Sequence, residues 1–159
     1  MKLLREIFSL AIMASALLIS SCDNADNESS NTKVQNKAVT YYTIDGVWCL
    51  VEWNDAPLAE DTLLYIDLDR KDHRFEMWDN LNSMYPTMHS GGFMLSKDDM
   101  QRDIISGWYD YSVGDWGDDY IVELNAEGDR MTWCAVSSDE KMTFIEVDAF
   151  PDNIKPNID

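Results

Sequence analysis

From residue 46 onward, apolar and polar residues alternate in short runs, and helical spacing is hard to find. In "YIVEL", Tyr120, Val122 and Leu124 share one face, and in "MTWCA", Met131, Trp133 and Ala135 do. A two-residue period is that of half-buried strands. Eight such runs are rich in β-branched and aromatic residues: 46–53, 62–69, 73–78, 91–95, 102–109, 119–124, 130–136 and 141–147. Turn signals separate them, among them "DRKDH" at 69–73 and "NAEGD" at 125–129. Short strands at regular spacing predict an all-β sandwich or barrel. The intervals between strand starts alternate long and short until the last step. In an up-and-down meander this gathers three long loops at one end, while tight turns close the other. The expectation is an eight-stranded antiparallel up-and-down barrel with one loop-rich mouth. An interior of that size is just wide enough for side chains or one small ligand.

The chain ahead of the strands has a different chemistry. Lys2 and Arg5 precede "IFSLAIMASALLIS", an apolar run shorter than the ~20 residues of a bilayer span. Such a charged start and short apolar run read as a secretory signal segment. Ile19, Ser20, Ser21 and Cys22 resemble the box that ends bacterial lipoprotein signal peptides. That resemblance implies cleavage after residue 21, acylation of Cys22, and anchoring in the outer membrane, facing the periplasm or the exterior. Asp23, Asp26 and Glu28 resemble the acidic export signal of surface lipoproteins in the Bacteroidetes. Residues 22–43 are expected to be a lipidated flexible tether, polar and poor in core-forming side chains. Residues 44–159 then form one domain.

The charge balance narrows the partners. Twelve basic residues face 30 acidic ones, a formal net charge of −18. Such a surface repels nucleic acid and anionic lipid and favours cations or a basic protein. Cys49 and Cys134 each follow a tryptophan. An exported chain permits a disulfide between them, worth roughly 4.5 kcal/mol in the chain-entropy model. Two free thiols fit the sequence equally well. His73 and His89 stand in no metal-binding or nucleophile-activating pattern. Asp110, Asp115, Asp118 and Asp119 share one loop and could gather Ca²⁺, but without the EF-hand spacing they read as solvated turn acids. No metal and no cofactor is expected. There is no Gly-x-Ser-x-Gly elbow and no P-loop, and acid pairs arise by chance in so acidic a chain. The protein is not expected to be an enzyme.

"GVW" at 46–48 resembles the Gly-x-Trp start of the first strand in lipocalins. With "GVWCLVEWND", "LYIDL", "FEMW", "ISGWYDYSVGDWGDDYIVEL", "MTW" and the closing "FPDNIKP", it resembles the lipocalin-like domains of Bacteroidetes lipoproteins. The resemblance implies a calycin-like barrel with Gly46 at the closed end and Trp48 plugging its floor. The loop after Trp53 would then lie at the mouth. Lipocalins usually set an Arg from the last strand over that tryptophan, whereas only Lys141 and Lys155 follow Arg130 here.

The three long loops carry many large side chains. Trp53, Met84, Tyr85, Met88, Tyr109, Tyr111 and Trp116 are the candidate ligand-binding residues, and they suit an apolar or amphipathic small molecule. Three alternatives stand beside this reading. The rings could cork the barrel and leave no cavity. A cavity-less domain could use its acidic surface to bind a cationic partner or another envelope protein. Trp53, Tyr85 and Trp116 could stack on a sugar.

Overall fold

The computed structural model describes residues 35–154. The signal segment, Cys22 and the first part of the expected tether lie outside the described residues. The strands are β1 (Gly46–Trp53), β2 (Ala56–Pro57), β3 (Leu64–Asp69), β4 (Arg74–Asp79) and β5 (Thr87–Lys97). There follow β6 (Asp103–Tyr109), β7 (Gly114–Asp115), β8 (Tyr120–Leu124), β9 (Arg130–Ala135) and β10 (Lys141–Val147). A 3₁₀ turn at Asp110–Ser112 precedes β7.

Eight of these strands form a closed antiparallel barrel. The order around the wall is β1-β3-β4-β5-β6-β8-β9-β10, and β10 pairs back to β1. Closure removes the unpaired edges that an open sheet would expose. The two-residue strands β2 and β7 fold back on β1 and β6. Because neighbours are antiparallel, loops 54–63, 80–86, 110–119 and 136–140 share one end. Turns 70–73, 98–102 and 125–129 share the other. The barrel expected from strand spacing is therefore the one found, with its long loops together.

The largest departure is β5, which runs well beyond 91–95 in both directions. Gly91 and Gly92 interrupt its apolar pattern and shorten the sequence reading. In the barrel their missing side chains are replaced by neighbours. A Cβ on Gly92 would lie 2.2 Å from the ring of Trp108, its cross-strand partner. A glycine inside a strand marks such a close approach.

The base of the barrel is filled. Trp48 is fully buried, and its indole Nε1–H donates to the Ile44 carbonyl at 2.9 Å. Leu68, Leu124 and Met131 are buried with it, and Ile154 of the C-terminal segment is buried too. The described part of the expected tether does not run free. Tyr41 stacks on His73 at 3.8 Å between ring centres, and its hydroxyl accepts the Leu95 N–H at 2.9 Å. Lys37 N–H donates to the Asn125 carbonyl at 3.2 Å. The chain therefore packs against the barrel several residues before 44.

Cys49 and Cys134 are both free thiols, so the candidate disulfide is corrected. Register gives the reason. Cys49 pairs with Ile145 and Cys134 with Lys141, on opposite sides of β10. Four residues along a strand span about 13 Å. Two strand spacings add about 10 Å across the sheet. A disulfide needs Cα atoms within about 7 Å.

Removing the floor should be costly. Trp48→Ala is expected to lose about 3–5 kcal/mol of stability, as for other large-to-small changes in cores. Urea unfolding followed by circular dichroism measures it, and a loss below about 1 kcal/mol would contradict the assigned packing.

Candidate functional site

The space above the filled base is only partly occupied by side chains. A cavity of about 370 Å³ opens beneath the long loops. That volume lies at the lower end of the range usual for small-molecule sites. The barrel is therefore not corked.

Two local devices shape the cavity. The first is a bulge in β1. Leu50 pairs with Phe144 and Trp53 with Met142, so the register slips by one residue between them. The extra residue re-aims the end of the strand. Trp53 joins Met142 and Phe144 in the cavity wall, where strict alternation from Trp48 and Leu50 would have turned it outward. Asn54 and Asp55 both have positive φ, as the two-residue hairpin between β1 and β2 requires. Lys141 pins that turn: its N–H donates to Asn54 Oδ1 at 2.9 Å, and its Nζ lies 2.6 Å from Asp55 Oδ1.

The second device is the loop between β6 and β8. It turns back down along β6, and Trp116 N–H donates to the Gly107 carbonyl at 2.8 Å. β8 itself pairs with β6 only at Ile104–Ile121 and Ile105–Tyr120. The Trp116 ring enters the barrel. A Cβ on Gly107 would lie 2.2 Å from it, so only glycine leaves room. The ring meets Phe75 at 5.2 Å and Trp133 at 5.3 Å between centres. Trp133 meets Phe144 at 5.0 Å. These rings form an aromatic layer across the barrel. The indole N–H of Trp133 is buried and has no hydrogen-bond partner among the described residues.

Acidic residues hold the same loop from both ends. Asp110 binds Arg74, and it accepts the Ser90 hydroxyl at 2.6 Å. The Arg74 bond, followed by the Ser90 bond, keeps the Asp110 carboxyl below its usual range. Asp118 accepts from both the hydroxyl and the N–H of Ser137, and the hydroxyl bond leads in lowering its carboxyl. Two of the four loop acids are thus taken by protein partners. Among the described residues, no group of three or more His, Cys, Asp or Glu is placed to hold a metal.

Of the seven candidate ligand-binding residues, Trp53, Tyr109 and Trp116 line the cavity. Met84, Tyr85 and Tyr111 point into solvent, with 90%, 76% and 94% of their surface exposed. Met88 pairs with Trp78 near the start of β5, is 48% exposed, and does not line the cavity. The proposed stacking trio is split, because Tyr85 stands apart from Trp53 and Trp116. Most of the wall comes instead from strand residues that the loop-centred reading missed: Met77, Asp79, His89, Tyr120, Trp133 and Met142. Their inward parity was visible in the alternation, but their height in the barrel was not.

Polar groups in the wall are few. Asp79 is buried at the end of β4; its Oδ1 accepts the Leu81 N–H at 3.0 Å, and Oδ2 lies 3.3 Å from His89 Nε2. The Tyr120 hydroxyl donates to Glu140 Oε2 at 3.3 Å. Burial pushes the Tyr109 phenol up, and the Asp79 charge adds to the shift. Burial also raises Tyr120, followed by the Glu140 charge. On the outer face, burial and the hydrogen bond with Cys49 push Tyr65 up to about 12. No protein-family model, curated protein or solved structure matches the chain.

These phenols give stability an alkaline limit. Each is raised in the folded state, so its contribution is complete below the ordinary value of 10 and is lost as pH rises through the folded value. The urea midpoint should fall between pH 10 and about 12, as tyrosinate absorbance appears. A midpoint constant across that window would contradict the assignment.

Proposed function

We propose that the protein is an outer-membrane lipoprotein, acylated at Cys22, whose lipocalin-like barrel holds one apolar or amphipathic small molecule at its mouth. The observation that carries this reading is the cavity of about 370 Å³ under the long loops, walled by Trp53, Tyr109, Trp116, Tyr120 and Trp133. Rings provide contact area and a few polar tips, which is the usual make-up of a ligand site. The signal box at 19–22 supports the anchor, and the acidic residues after it support a surface-exposed lipoprotein of the Bacteroidetes type. The protein acts by binding and is not an enzyme, and its charge of −18 argues against nucleic acid as a partner.

A second reading draws on the exposed Met84, Tyr85 and Tyr111, which lie outside the cavity wall. In this reading the rim and the acidic surface dock a cationic protein or another envelope protein. Contact through charge would weaken steeply with salt, whereas capture of an apolar molecule would not.

Both parts of the main proposal can be tested on membrane-extracted chain. Intact-mass measurement should show residues 1–21 absent and acyl chains on Cys22; an unmodified full-length chain contradicts the anchor. A panel of lipids, sterols and aromatic amphiphiles should shift or quench tryptophan emission with saturation, since three tryptophans line the cavity. No saturable response across the panel contradicts ligand binding.

A further inference from the structure

We infer that the molecule held at the mouth is a cation, namely a small organic amine or quaternary ammonium with an apolar body. This rests on the ligand-binding reading above and adds the sign of the ligand's charge to it. The cavity wall contains two carboxylates, Asp79 and Glu140, and no Lys or Arg.

Each carboxylate is held in place without being neutralised by Lys or Arg. Asp79 accepts the Leu81 N–H at 3.0 Å, and its other oxygen faces His89 at 3.3 Å. Glu140 receives the Tyr120 hydroxyl, a neutral donor. A carboxylate has about four acceptor sites, so both keep free lone pairs. His89 is the one wall group able to carry positive charge, and it faces Asp79. The Tyr120 hydroxyl, and not His89, is the partner of Glu140.

A buried carboxylate in an apolar wall is costly until a counter-charge reaches it. Trp53, Tyr109 and Trp116 line the same cavity, and aromatic rings attract a desolvated cation. An anion with the same apolar body would meet like charge where water screens little. The net charge of −18 raises the local concentration of cations outside the mouth. Walls, anchors and surrounding field therefore select the same sign.

Three probes with the same phenylpropyl skeleton isolate the charge: 3-phenylpropylammonium, 3-phenylpropanol and 3-phenylpropanoate. Each is titrated calorimetrically into the full chain held in zwitterionic vesicles, with protein-free vesicles as the blank. The ammonium should bind at least about tenfold more tightly than the alcohol, and the carboxylate should bind most weakly. Asp79→Asn and Glu140→Gln should each weaken the ammonium about tenfold while leaving the alcohol unchanged. Melting temperature checks that both variants fold, and Glu140→Gln carries the test if Asp79→Asn does not. Equal affinity for the three probes overturns the cation inference and leaves the ligand-binding reading standing. So does absence of amine binding in a chain that responds to the wider panel. Silence toward probes and panel alike removes both.

Discussion

The mouth depends on one contact, the Trp116 ring lying against the backbone of Gly107. Gly107 points into the barrel, and its missing side chain leaves a slot that the indole occupies. A loop residue thereby becomes part of the interior. The Phe75–Trp116–Trp133–Phe144 layer completes an aromatic ceiling over the lower core. Without that ring, the space above the floor would run further down the barrel. With it, the cavity has a defined depth. The fold-back that delivers the ring also replaces β8 beside the upper half of β6, where no ladder to β8 forms.

The two ends of the barrel are built on different principles. The base is filled, with Trp48, Leu68, Leu124 and Met131 in one buried cluster and Tyr41 packed against it. Burial of apolar area stabilises it, at roughly 25 cal/mol for each Å². At the mouth, polar contacts between loops and strands do more of the positioning. Arg74 and Ser90 hold Asp110, Ser137 holds Asp118, and Lys141 holds the turn at Asn54–Asp55. These bonds are largely exposed and individually weak. Acting at the ends of the loops, they fix where Trp53 and Trp116 enter. The carboxylates facing the cavity have a different role, since their charge is directed at whatever occupies the space.

Alternation was enough to reveal the architecture. Tyr120, Val122 and Leu124 announced one inward face, and Met131 and Trp133 another; both lie inside. Loop lengths were enough to reveal the mouth. The site itself was only partly legible, for three physical reasons. A large side chain in a loop is under no obligation to turn inward, so Met84, Tyr85 and Tyr111 could not be told from Trp116 by composition. What separates them is the Gly107 slot on a neighbouring strand, a relation that residue type alone does not carry. Parity also says which face a residue occupies but not its height, so Asp79 and His89 looked like ordinary strand-end residues. A bulge, finally, breaks parity. Trp53 reached the cavity only because the register shifts between Leu50 and Glu52. The cysteines were undecided for a related reason: register, unlike residue type, places them on distant rows of the sheet.

Proton NMR tests the Trp116–Gly107 contact most directly. With the indole over Gly107, the Gly107 α-protons should be strongly shifted by its ring current and show cross-relaxation to the Trp116 ring protons. Gly107 α-protons at ordinary strand shifts, with no such cross-peaks, would place the ring outside the barrel and contradict the account of the cavity.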